Sequence, residues 1–261
     1  MNRLVSIRIS HYNEQARWAL DRAGVQYVEH GYMPILHFLP VLWTVGRAGQ
    51  KDRVSSRFST PVFTRPGAPP LCDSRAIMRF AHAQMTARAP GFGLGFETAE
   101  VAGWVDHLHD RLGPHTRRAG YGFGLEDLAV LRRLARANVG PWQARLFAVV
   151  APIGRAIIRR SLGVTPERAA RSADRVREQF REVGERLGTR DFLVDDRFSA
   201  ADIAFAALAA PSLLVQPAEG YGAVFPTLAE GPPAAWAFAD ELRAMPAGVY
   251  AMRMFREFRS G

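Results

Sequence analysis

"SHYNEQARWAL", residues 10–20, decides how the N-terminal part of this chain is read. It follows "RLVSIRI" (3–9), a β-branched run of strand character, and opens an apolar pattern at Ala16, Ala19, Leu20 and Ala23 with helical spacing. Ser10 therefore stands where a strand hands over to a helix. Unpaired backbone N–H groups and the macrodipole make that position favourable for negative charge. The order S-x-x-N looks like a C-x-x-C redox turn with both sulfurs replaced.

Outward from this point, strand and helix signals alternate. Gly24 ends the helix, and "VQYVEH" (25–30) reads as a second strand. Residues 31–57 mix Gly, Pro, His and aromatics and read as irregular. "PVFT" (61–64) and "PLC" (70–72) are short strands around the turn "RPGAP", and "DSRAIMRFAHAQM" (73–85) is an amphipathic helix. After the connector "TARAPGFGLGF" (86–96) only helical periodicity remains, at 97–118, 125–136, 141–161, 166–188, 199–215 and 232–258. The expected architecture is an α/β module over 1–85, a linker over 86–96 and an all-α helical domain over 97–261.

Composition bounds the function. Hydrophobic residues make up 48% of the 261, enough for packed cores rather than disorder. A single cysteine, Cys72, excludes an internal disulfide and an all-cysteine zinc site and fits a reducing, cytoplasmic compartment. The N-terminus lacks a secretory pattern. "IAFAALAAPSLLV" (203–215) is shorter than the roughly 18 apolar residues of a membrane span and contains a proline, so a buried helix is expected. The net charge of +9 is almost all arginine, Lys51 being the one lysine. That bias permits contact with nucleic acid or a membrane surface without requiring either.

A hydroxyl at Ser10 could steady an anion that the protein does not own. Lowering a bound thiol's pKa by two units, from near 8.5–9, needs about 2.7 kcal/mol. A charge-assisted hydrogen bond offers about 1.5–3 kcal/mol and the helix end about 0.3–1 more. The alternative is a serine that only caps the helix. A serine-hydrolase elbow, G-x-S-x-G, is absent. Pro61 in "STPVF" (59–63) marks an edge or tight turn, where an extended peptide could pair with the backbone, or else a plain loop. Asp73 and Ser74 open a helix; one caps it, and the free N–H groups there could receive a carboxylate.

Elsewhere the signals are weaker. His107 and His109, with Asp106 and Asp110, imitate a metal cluster, but on a helix the two histidines point about 200° apart, so no metal site is expected. "GYGFG" (120–124) follows no strand and is not a dinucleotide loop. Residues 128–166 hold seven arginines and no acid. Such a segment suits an anionic membrane surface, or a helix partnered by the acids of 166–186. Nucleic acid is not an expected partner.

The three N-terminal features, in this order and spacing, resemble the glutathione S-transferase superfamily. S-x-x-x-x-x-A-R-W-A-L, T-P-V and D-S-R-A-I are similar to its thioredoxin-like glutathione-binding domain, and "FLVDDRFSAADIAFAALAAP" (192–211) to its C-terminal signature. Ser199 and Asp202 form an S-x-x-D capping box there. The resemblance implies that Ser10 activates the thiol of glutathione as co-substrate, with Tyr12 as a rival donor. It implies a cis Pro61, backbone pairing at Val62, and Asp73 and Ser74 on the γ-glutamyl end. For the glycine carboxylate it suggests His37, Arg47 or Lys51, although the 31–57 segment departs from the common pattern. A homodimer is implied as well. Cysteine occupies the serine position in thiol-exchanging relatives, so serine argues for conjugation, isomerisation or dehalogenation of a small hydrophobic electrophile. The electrophile would lie between Ser10 and the 97–118 helix. The contrasting expectation is a non-catalytic relative, with a decayed glutathione site and the arginine-rich region on a membrane surface.

Overall fold

A computed structural model describes residues 1–46 and 58–259. In the N-terminal part, β1 (Asn2–Ile7) leads through α1 (His11–Arg22) to β2 (Tyr27–Tyr32). Then come α2 (Phe38–Val45), β3 (Val62–Arg65), β4 (Ala68–Leu71) and α3 (Ser74–Arg88). The sheet order is β2-β1-β3-β4, with β1 parallel to β2 and antiparallel to β3. This is the expected thioredoxin-like domain, and an all-α domain follows it. Among the described residues no helix is long and apolar enough to cross a membrane.

The helices are α4 (Ala99–Arg111), α5 (Gly113–Gly124), α6 (Leu128–Asn138), α7 (Pro141–Ser161), α8 (Pro166–Leu187), α9 (Ala200–Leu213), α10 (Pro233–Ala244) and α11 (Pro246–Phe258). Alanine-rich α9 is their axis: every residue in it except Pro211 is buried. Helices α1, α4, α5, α10 and α11 pack around it, which is what a helix apolar on all faces requires. Its N-terminus carries the expected capping box. Asp202 accepts from the Ser199 amide at 2.6 Å and the Leu193 amide at 2.9 Å, and also from the Tyr250 hydroxyl.

Three sequence expectations need correction. Residues 38–45, read as irregular, are helix α2; Pro40 lies in its first turn, where a missing N–H costs nothing. The 97–118 helix is two helices that meet at Leu112, because Gly113-Pro114 breaks the hydrogen-bond ladder. A Cβ on Gly113 would lie 2.3 Å from the Tyr12 hydroxyl, so only glycine admits that ring. The 232–258 helix is likewise α10 and α11. Pro246 forces Met245 to an extended ψ of 150°.

Polar groups buried in α1 tie the two domains together. The Glu14 carboxylate is fully buried; it accepts from Arg17 Nε at 2.9 Å, Arg259 Nε at 2.8 Å and the Gly222 amide at 3.2 Å. Arg17 reaches on to Glu29 of β2 at 2.9 Å and to the Arg8 carbonyl at 3.0 Å. A Cβ on Gly222 would come within 2.6 Å of Arg17 Nε. Burial alone would raise the Glu14 pKa, but the Arg17 and Arg259 guanidiniums outweigh it and hold the carboxyl below its usual range. Beside it, His11 Nε2 lies 2.9 Å from the Gly113 carbonyl, so this nitrogen carries the proton and donates. Burial and then Arg117 push His11 down to about 3. Burial pushes His37 down to about 4.

Two outcomes follow for stability. Arg17→Met strands a buried carboxylate and should lower the unfolding free energy in urea by about 3–5 kcal/mol; a loss under about 1 kcal/mol would contradict this role. Neutral buried histidines bind protons only after unfolding, so stability is full above their ordinary pKa of about 6.5 and falls as pH drops below it. His11→Gln keeps a donor for the Gly113 carbonyl and should shrink the stability loss between pH 7 and pH 5 by about 2 kcal/mol. An unchanged slope would show that His11 is not held neutral.

Candidate functional site

Ser10 is the N-cap residue of α1, half-buried, with an extended backbone of φ −82° and ψ 126°. Its carbonyl receives the amides of Asn13 and Glu14, each at 3.0 Å, which starts the helix. Its side chain makes no capping bond, and no other hydrogen bond among the described residues. The hydroxyl stays available at the end of a helix dipole, facing a cavity.

That cavity has a volume of 570 Å³ and is mostly apolar. One wall comes from Ile7, Ile9, Ser10 and the segment Met33–Phe38; the others come from α5, α6, α7 and residues 211–238. Of the 97–118 stretch, Thr116 and Arg117, both in α5, line this cavity opposite Ser10. The larger part is built by α6 and α7, whose contribution a periodicity pattern does not reveal.

A second cleft of 300 Å³ shares Tyr12, Ser59, Thr60 and Arg117 with the first. It is lined further by Pro61, Cys72, Asp73, Ser74, His109 and Asp110. The Thr60–Pro61 bond is cis. Val62 opens β3, with Val5 of β1 as its register partner. The β4 register begins one residue later, at Phe63↔Leu71, leaving no β4 residue opposite Val62. Asp73 caps α3 by accepting from the Arg75 amide at 2.7 Å and also faces the Arg75 guanidinium. The buried Ser74 hydroxyl donates to Gln15 Oε1 at 2.8 Å.

Tyr12 stands between the two spaces. Its hydroxyl donates to the His109 carbonyl at 3.3 Å, and its ring packs on His11 and His109. Burial pushes the phenol up to about 12. His37 is buried in the cavity wall and, with its depressed pKa, is neutral at pH 7. Lys51 and Arg47 lie outside the described residues. His107 faces Gln179 and Glu182 of α8 while His109 faces Tyr12, so the two point apart as their spacing requires.

Some residues of the site escaped the sequence reading. Asn13 donates to Thr60 Oγ1 at 3.1 Å and braces the cis-proline turn, and Gln15 holds Ser74. Polar residues two and four places after the helix start are the trace they leave in sequence. Arg117, which forms no ion pair among the described residues, leaves none; α5 simply carries it to the junction of the two spaces. Of the seven arginines of 128–166, Arg155 and Arg159 pair with Glu126, at 3.5 Å and 3.3 Å, and among the described residues none pairs with an acid of α8.

The family of the glutathione S-transferase C-terminal domain matches residues 142–230. Among solved structures, the beta-etherase LigF from Sphingobium sp. strain SYK-6 is 18% identical, with a TM-score of 0.55 over 97% of this chain and 98% of that one. Glutathione transferase F7 from Populus trichocarpa is 14% identical, with a TM-score of 0.52 over 99% of this chain and 100% of that one. A glutathione S-transferase-I structure bound with lactoylglutathione is also 14% identical, with a TM-score of 0.51 over 97% and 99%. No curated protein matches the chain in sequence. The chain thus has the fold of these glutathione transferase structures, and its residues 142–230 match the glutathione S-transferase C-terminal domain family.

Proposed function

We propose that the chain binds glutathione along the cleft and activates its sulfur at Ser10 for attack on a hydrophobic electrophile held in the cavity. One observation carries this reading: the Ser10 hydroxyl is unspent, at a helix N-terminus, on the wall of an apolar cavity that joins a polar cleft. In that cleft Asp73 supplies a carboxylate for the γ-glutamyl ammonium, and Val62, which no β4 residue opposes, directly follows the cis-proline that lines it. Holding both ends of the tripeptide would orient the thiolate, while the hydroxyl and helix end supply the roughly 2.7 kcal/mol that a two-unit pKa drop needs. Tyr12 suits a lining role better, since its hydroxyl is already committed to the His109 carbonyl. His37, neutral at pH 7, offers no charge to the glycine carboxylate. Conjugation, isomerisation or dehalogenation, a homodimer, and a cytoplasmic detoxifying role belong to this reading through the family resemblance alone.

A second reading has its own observation. Along α7, Trp142, Val149 and Ile153 are 66%, 76% and 68% exposed, and with Leu146 and Ile157 they make one apolar stripe. Arg145 and Arg160 lie beside it on an acid-free helix. A non-catalytic relative would lay this stripe on an anionic membrane.

For the first reading, Ser10→Ala should raise the apparent pKa of bound glutathione by about one to two units in the pH–rate profile. An unchanged profile would move the role to Tyr12 or to backbone amides. For the second, the protein should sediment with phosphatidylserine vesicles and not with phosphatidylcholine, and Val149→Ser/Ile153→Ser should release it. Equal recovery in the supernatant with both lipids would remove the membrane reading.

A further inference from the structure

We propose that α7 docks on an anionic membrane and that the cavity behind it takes an apolar molecule directly out of the lipid. The docking rests on the membrane reading of α7. The direct loading goes beyond that reading and holds whether or not Ser10 activates a thiol.

Helix α7 is apolar on two faces. Spacings of four, three, four and four residues put Trp142, Leu146, Val149, Ile153 and Ile157 in one exposed row. Phe147, Ala151, Gly154 and Ile158 fall on the other side and line the cavity. Ile157 belongs to both faces: it is 43% exposed and also lines the cavity. Ser161, four residues further on, is likewise exposed and lines the cavity. The C-terminal end of α7 is therefore a rim at which the outer row runs into the cavity. A row of large apolar side chains left in water marks a contact surface.

Charge selects what covers it. Arg160 follows Ile157 by three places, and Arg145 stands three after Trp142 and four before Val149, so both flank the row. Neither has an acidic partner among the described residues, whereas Arg155 and Arg159 have Glu126. Residues 128–166 contain no acid. A second copy laid α7 on α7 about a twofold axis would set arginines against arginines with nothing between them to neutralise the charge. A phosphatidylserine surface supplies the opposite charge to the arginines and hydrocarbon to the row. Docked in this way, the rim at Ile157 meets the lipid. A molecule that suits a mostly apolar cavity of 570 Å³ resides in hydrocarbon rather than in water. Crossing the rim spares it a passage through water.

Pyrene loaded into the purified full chain, then mixed with vesicles carrying a lipid-linked quencher, reads the same route in reverse. Transfer by contact should speed up in proportion to vesicle concentration. It should run about tenfold faster with vesicles containing phosphatidylserine than with phosphatidylcholine alone. Transfer through water would depend on neither. Val149→Ser/Ile153→Ser, at positions that do not line the cavity, should keep its pyrene affinity in equilibrium dialysis and lose the dependence on vesicle concentration. Arg145→Gln/Arg160→Gln, at two exposed positions, should bring the two lipids within about twofold and covers the case in which the serine variant fails to fold. A wild-type rate indifferent to vesicle concentration, or no uptake of pyrene, would overturn the proposal. So would a dimer in equilibrium sedimentation that Val149→Ser/Ile153→Ser turns into a monomer, because the row would then belong to a second copy. Co-sedimentation with phosphatidylserine vesicles separates the two claims. A protein that sediments with them but gives up pyrene at a vesicle-independent rate keeps the membrane reading and loses direct loading; one that does neither loses both.

Discussion

The buried carboxylate of Glu14 is the constraint from which the site follows. It lies in the first turn of α1, and two guanidiniums and a backbone amide close around it. Arg17 binds α1 to β2, while Arg259 and Gly222 bind it to the C-terminal end of the chain. A charge removed from water in this way is tolerated only when all its partners are present. The network therefore fixes the height and rotation of α1 against both domains. Ser10 precedes that helix by one residue and inherits its position from it.

What the helix end faces explains the division of the site. On one side the cis Thr60–Pro61 turn, the Asp73 cap and the Ser74–Gln15 pair make a polar cleft. On the other, α6 and α7 complete an apolar cavity. Tyr12 separates the two, its ring accommodated only because Gly113 lacks a side chain. An anion formed at Ser10 would thus have a hydroxyl and a helix dipole beside it and an apolar chamber in front of it. On the proposed reading, that juxtaposition would suit a bound thiolate that meets an apolar partner.

The strand–helix handover, the proline before β3, the cap of α3 and the capping box of α9 were legible in sequence because each is local chemistry: a cap, a ring without an N–H, a reciprocal bond across three residues. Helix α2 was obscured by Pro40 and its β-branched, aromatic composition. The breaks at Gly113-Pro114 and Met245-Pro246 were written in the sequence as prolines but overridden by the continuing apolar period. The cavity was not legible at all. Its walls are contributed by residues more than two hundred positions apart, from Ile7 to Trp236, and only packing brings them together. Asn13, Gln15, Thr116 and Ser212 look like ordinary polar helix residues until their burial is known.

Ultraviolet difference titration of glutathione bound to the wild-type protein addresses the central claim most directly, because it reads the ionised sulfur itself. The account predicts a bound-thiol pKa about two units below the free value of near 8.5–9. Glutathione that binds with its thiol pKa unmoved, or that does not bind, would contradict it.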